Sequence, residues 1–193
     1  MKNNNQKLML LCLVLILVLA ACGSQIKDPL NWKLNSFTYT NQENKKVSLD
    51  DLKGKVWVSN FIFTNCETVC PPMTAHMAKL QKMVKEEGLD ANFISFSVDP
   101  ENDSPDKLKE FATKFNADFS NWHFLTGYTQ QEIEKFALDQ FKAVVKKPEK
   151  DPQVIHATTF YLIDKEGTVM KSYSGVGDTP YDEIIKDMKT LSK

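Results

Sequence analysis

Arginine is missing from this chain: apart from histidine, all 24 of its basic residues are lysine. A guanidinium grips a carboxylate or phosphate with two parallel hydrogen bonds and an ammonium does not, so phosphoryl transfer built on such clamps is disfavoured. Long basic runs are missing as well, and with 25 acidic residues the formal charge is −1. No nucleic acid is expected as a partner, since that binding draws on clustered cations facing phosphates. No internal repeat or low-complexity stretch is present, and nothing marks a second domain. Cysteine is sparse, with four residues at positions 12, 22, 66 and 70. A chain of this length buries enough apolar surface to need no disulfide staple.

What is present begins with the N-terminus. Lys2 and Lys7 precede an unbroken apolar run from Leu8 to Ala21, the layout of a secretory signal peptide. The run is short for a stable span, which needs about 20 apolar residues. Leu19-Ala20-Ala21-Cys22, followed by Gly23-Ser24, resembles a bacterial lipobox. Cleavage of residues 1–21 would leave Cys22 first, its sulfur carrying a diacylglycerol of the palmitate type. An uncleaved membrane anchor is the plainer alternative, and both place the remainder on the extracytoplasmic face of the cell membrane. Loss of Lys2 and Lys7 shifts the formal charge to −3. Residues 22–30 then read as a tether and 31–193 as one domain.

Trp32 to Thr40 and Lys46 to Leu49 read as a hairpin around the polar turn Asn41-Gln42-Glu43-Asn44. Lys55 to Phe63 (KVWVSNFIF) and Asn92 to Val98 (NFISFSV) have the continuous apolar character of buried strands. After Cys70, Pro71 and Pro72 suit a first helical turn, Met73, Met77, Leu80 and Val84 follow at helical spacing, and Gly88 ends the run. Ser104-Pro105 opens another helix, carrying Leu108, Phe111, Ala112 and Phe115. A strand is expected around Trp122–Leu125, and Thr129 to Glu132 form a capping box for the helix after it. Residues 141–155 lack a firm period and read as a loop, with Lys146, Lys147 and Lys150 solvated. Thr158–Ile163 and Thr168–Tyr173 predict a hairpin, and Thr179-Pro180 starts a last helix. The alternation of strands and helices argues for parallel strands in an α/β fold, and a central mixed sheet flanked by helices, with the N-terminal hairpin, is expected.

Cys66 and Cys70 are the only thiols left once the leader and the lipidated cysteine are set aside. They lie where a buried strand passes into a helix N-terminus, whose free N–H groups stabilise a thiolate. A structural bridge over three intervening residues would remove little unfolded-state entropy, so a redox pair or a metal site is the better reason for the spacing. Cys-x-x-x-Cys is one residue longer than the thioredoxin motif and can chelate one ion as well as close a disulfide. In thioredoxin-like proteins a stretch like His156-Ala157-Thr158-Thr159 normally carries a proline that packs beside the thiols. Ala157 takes that place, which would put His156 at the loop facing them.

Four stretches in this order resemble the Sco/SenC family of copper proteins: FTNCETVCPPMT (Phe63–Thr74), SVDPENDSP (Ser97–Pro105), WHFLTG (Trp122–Gly127) and HATTFYLID (His156–Asp164). The resemblance implies a thioredoxin-like fold, copper bound by Cys66, Cys70 and His156, and a metallochaperone that serves the subunit of cytochrome c oxidase carrying the CuA site. A copper donor or a thiol reductant protein is expected as a further partner, and the membrane is reached through the lipid anchor at Cys22. Two thiolates and an imidazole suit copper(I) and tolerate copper(II). Zinc accepts the same donors, so copper is preferred here on the resemblance and not on ligand count. The alternative from the enzyme class is a thiol–disulfide oxidoreductase, with Cys66 and Cys70 as catalytic thiols and a reversible disulfide between them, keeping the CuA-site cysteines reduced. A peroxiredoxin fits less well, since Thr64 lies two residues before Cys66 and no proline precedes it nearby.

Other residues carry plainer readings. Without the surrounding HATTFYLID, His156 would be an ordinary loop histidine. His76 reads as lying on a helix flank and His123 as a strand-edge residue, neither with a metal role. Met73, Met77 and Met83 read as core and not as thioether ligands. Asp99, Glu101 and Asp103 lie in a loop after a strand, where turn acids and functional groups both collect.

Overall fold

The computed structural model describes residues 26–193. The leader, the cleavage site and Cys22 lie outside the described residues. The sheet has eight strands: β1 (Trp32–Lys33), β2 (Thr38–Asn41), β3 (Lys46–Ser48), β4 (Val56–Ile62), β5 (Ala91–Ser97), β6 (Trp122–Thr126), β7 (Thr159–Ile163) and β8 (Thr168–Ser174). Their spatial order is β1-β8-β7-β4-β5-β6-β2-β3. The centre, β4-β5-β6, is parallel, and every other pairing is antiparallel. The sheet is therefore mixed, as a βαβ core extended by hairpins on both sides should be.

The N-terminal segment departs from the hairpin expected for it. Trp32 and Lys33 are not part of a long hairpin strand; they pair with Val169 and Thr168 at one edge, whereas Thr38–Thr40 pairs with Lys46–Ser48 near the other. In a flat sheet β1 and β2 would lie about 29 Å apart at the usual strand spacing. The connection from Lys33 to Thr38 reaches only about 18 Å when fully extended. The sheet must therefore curl until its edges approach, and the side chain of Leu49, directly after β3, accordingly lies against Gly167 in the turn between β7 and β8. Leu49, expected at a strand end, instead begins a one-turn helix, α1 (Leu49–Leu52), with a capping box between Ser48 and Asp51. An acid three residues after a serine diverts the chain there, since each side chain satisfies the other's backbone N–H.

Four longer helices cover the faces: α2 (Cys70–Glu86), α3 (Pro105–Thr113), α4 (Gln130–Phe141) and α5 (Tyr181–Ser192). Helix α2 buries Met73, Met77, Leu80 and Val84 on one stripe. It ends at Gly88, which at φ +68° lets the N–H of Leu89 return to the Val84 carbonyl. Strand β4 is buried along its whole length. Trp57, Phe61, Phe93, Phe96, Trp122, Phe124, Phe141 and Phe160 are fully enclosed. Each such side chain contributes about 1.5–3 kcal/mol from water exclusion. This core makes the end of β4 and the start of α2 a rigid platform.

Candidate metal and thiol site

The loop from Phe63 to Val69 leaves that platform and re-enters it at Cys70, the first residue of α2. Cys70 has no exposure and Cys66 has 7%. Both are free thiols. The N–H of Cys70 donates to Cys66 Sγ at 3.3 Å, so the helix N-terminus is directed at that sulfur. From the far side of the chain comes His156, half-buried, with its Nε2 3.3 Å from Cys70 Sγ. Its Nδ1 lies 3.0 Å from the Ala157 carbonyl. A carbonyl only accepts, so Nδ1 carries the proton and Nε2 is the nitrogen presented to the sulfurs. The ring of Phe63 meets the imidazole edge-on, with centroids 5.7 Å apart.

One donor atom from each of Cys66, Cys70 and His156 lies within 4.8 Å of the others, and among the described residues this is the one such grouping of three. Two metal–ligand bonds of about 2.0–2.3 Å each nearly cover that span, so one ion fits with a small inward movement. The two thiols differ in acidity. Cys66 is held well below the ordinary thiol range by the hydrogen bond from the Cys70 side chain, helped by the His156 ring and by the N–H groups of Cys70 and Thr68. Burial pushes Cys70 well above that range, and its bond to Cys66 adds to the shift. The pair is thus a thiolate beside a buried thiol. It is ready either to attack a disulfide or, with the second proton released, to take up a soft metal ion.

The acidic turn after β5 is part of this construction. Asp103 is fully buried and accepts from the N–H of Thr64 at 3.2 Å, from its hydroxyl at 2.6 Å, and from Ser97 Oγ at 2.6 Å. It supports the loop two residues before Cys66. Asp99 is equally buried and pairs with Lys147 at 2.7 Å, which overturns the expectation of a solvated lysine there. The loop has no helical or strand period, so nothing local could have revealed that contact.

The remaining residues fall away from the site. His76 is hydrogen-bonded through Nδ1 to the Tyr181 hydroxyl. His123 is the second residue of β6, beside Trp122, and its ring meets the Asn41 amide at 3.3 Å. Met73 and Met77 are fully buried and Met83 packs partly buried against the core.

Fold and site together define a thioredoxin-like domain that gathers two thiols and an imidazole at the end of a central strand. The family model described as SCO1/SenC matches residues 29–193, and the chain belongs to that family. A SCO1/SenC family lipoprotein from Bacillus anthracis is 60% identical, with a TM-score of 0.85 over 87% of this chain and 99% of its own. BsSco, described as a member of the Sco family of cytochrome c oxidase assembly proteins with a disulfide switch, is also 60% identical, with a TM-score of 0.82 over 88% and 99%. Bradyrhizobium japonicum ScoI with copper bound is 27% identical, with a TM-score of 0.68 over 82% and 99%.

Proposed function

We propose that this protein is a copper metallochaperone for the CuA site of cytochrome c oxidase, holding its cargo between Cys66, Cys70 and His156. The observation that carries the reading is the approach of His156 Nε2 to Cys70 Sγ across 86 positions of sequence, beside a second sulfur of lowered pKa. Soft thiolates favour copper(I), and the imidazole adds a donor that copper(II) accepts well. The family membership and a copper-bound relative support the same choice over zinc. The receiving partner is the oxidase subunit that carries CuA, reached by ligand exchange, with a copper donor protein upstream.

The test is titration of the reduced protein with copper and with zinc, followed by spectroscopy of the copper(II) form. Thiolate-to-copper charge-transfer absorption saturating at one equivalent is expected. Its absence would exclude the three-ligand site.

A second reading is favoured by the unequal thiols: a reductase for the CuA-site cysteines. The Cys66 thiolate would attack the target disulfide and release one thiolate. Cys70 would then displace the other, leaving a Cys66–Cys70 disulfide and a reduced target. A thiol reductant protein would restore the pair. Rapid turnover on a disulfide substrate with copper chelated would favour this role.

The same proposal places the protein on the extracytoplasmic face of the cell membrane, with residues 1–21 removed and Cys22 lipidated. The family lipoprotein from Bacillus anthracis supports it. Cys22→Ser should abolish palmitate labelling and release the domain from membranes; unchanged membrane retention would sink the lipid anchor.

A further inference from the structure

His156 reaches the site on a stretch with little regular structure. Between α4 and β7, only Lys146 and Ile155 pair as strand partners, through two N–H···O=C bonds of 2.9 Å. That pair closes the neck of a loop over 147–154, and the limb leaving the neck delivers His156 at the next position. Four contacts hold the loop in place. Lys147 Nζ lies 2.7 Å from Asp99 Oδ1 and 2.8 Å from Glu101 Oε2. The Lys147 N–H donates to Glu134 Oε1 at 3.0 Å. On the returning limb, Gln153 Nε2 donates to the carbonyl of Asn65, the residue before Cys66, at 3.1 Å.

The contact to Asp99 differs from the others in environment. The Asp99 side chain is 1% exposed and that of Lys147 20%, whereas Glu101 is 63% exposed. An exposed pair adds little, but removing one member of a buried pair strands the other's charge out of water. Asp99 and Asp103 also belong to one turn, in which the N–H groups of Asn102 and Asp103 return to the Asp99 carbonyl at 3.0 and 2.9 Å. Asp103 holds Thr64 in the cysteine loop, and Asp99 holds Lys147 at the neck of the histidine loop. A single acidic turn therefore grips both arms of the site.

We infer that Lys147, through its ion pair with Asp99, is a positioning residue that fixes where His156 stands relative to the two sulfurs and thereby sets how firmly the protein retains copper(II). The inference rests on the copper reading above. Two thiolates from one short loop suffice for copper(I), so the imidazole matters most to copper(II). Releasing the neck lets the ring leave the sulfurs without altering the cysteine loop.

The test compares reduced full-length protein in detergent with Lys147→Met, Lys147→Arg, His156→Ala and the double variant Lys147→Met/His156→Ala. Lys147→Met should weaken copper(II) binding about 10–100-fold, the usual cost of losing a group that orients a metal-binding histidine. Copper(I) affinity should be unchanged, and Lys147→Arg should restore copper(II) retention. In the His156→Ala background, Lys147→Met should cost nothing further, because the lysine acts only through that ring. Should Lys147→Met fail to fold, Asp99→Asn/Lys147→Met, which leaves no buried charge, must show the same selective copper(II) loss. Equal losses for both oxidation states, wild-type behaviour in Lys147→Met, or an undiminished effect without His156 would each overturn the inference. Wild-type protein lacking the copper(II) charge-transfer band would instead overturn the copper reading itself, before any variant is measured.

Discussion

Asp103 accepts hydrogen bonds from both the N–H and the hydroxyl of Thr64 while having no exposure to water. Burial raises its pKa above the ordinary carboxylate value despite these donors. Because the folded pKa exceeds the unfolded one, its contribution to stability is fully present below the unfolded value and is lost as pH rises through the folded one. Asp103→Asn cannot ionise. Wild type should therefore lose stability relative to that variant from about pH 4 upward. Urea midpoints of the two proteins at successive pH values check this, and a gap independent of pH refutes it.

Cys66 has the opposite sign. Its folded pKa is depressed, so its stabilising contribution is present above the unfolded thiol pKa and is lost as pH falls through the folded value. In metal-free reduced protein its alkylation by iodoacetamide should change little between about pH 6 and 8, where an ordinary thiol gains close to tenfold per unit. Cys70, buried and held as a thiol, should stay unmodified. Peptide mapping after timed labelling identifies which sulfur reacts; a tenfold rise per unit at Cys66 would contradict the hydrogen-bond account.

His156→Ala should eliminate the native copper(II) spectrum and leave the thermal unfolding midpoint close to wild type, since the ring is only half-buried and contacts little beyond Cys66, Cys70, Ala157 and Phe63. Calorimetry and absorption on the same sample separate the two effects. A variant with an unaltered spectrum removes the histidine from the site.

Gly175 follows β8 and donates its N–H to the Thr158 carbonyl at 2.8 Å, beside the strand that His156 leads into. A Cβ there would stand 2.9 Å from the Phe160 ring and 3.0 Å from that carbonyl. Gly175→Ala should destabilise the fold by about 1–3 kcal/mol through overpacking. Denaturant unfolding measures the loss; stability equal to wild type would show that the ring moves freely.

Elements whose cause is local could be read from sequence, and those whose cause is distant could not. The strand ending at Ile62, the proline-opened helix from Cys70, the Ser104 cap and the Thr129–Glu132 capping box each follow from residues within a few positions. Trp32–Lys33 misled because a two-residue strand has no period of its own, and its partner is more than 130 positions away. Lys147 misled because a lysine in a polar loop normally meets water, and only the fold brings a buried carboxylate to it.

The sequence by itself determined that a cysteine pair stands where a buried strand meets a helix N-terminus, because the apolar run, the prolines and the helical stripe adjoin those cysteines in the chain. The resemblance supplied His156 as their companion. Tertiary structure alone decided that the imidazole comes within hydrogen-bonding distance of Cys70, that the sheet curls until its edges approach, and that one acidic turn braces both arms of the site. Those relationships join residues tens of positions apart, and such contacts form only when the buried core fixes the strands against one another.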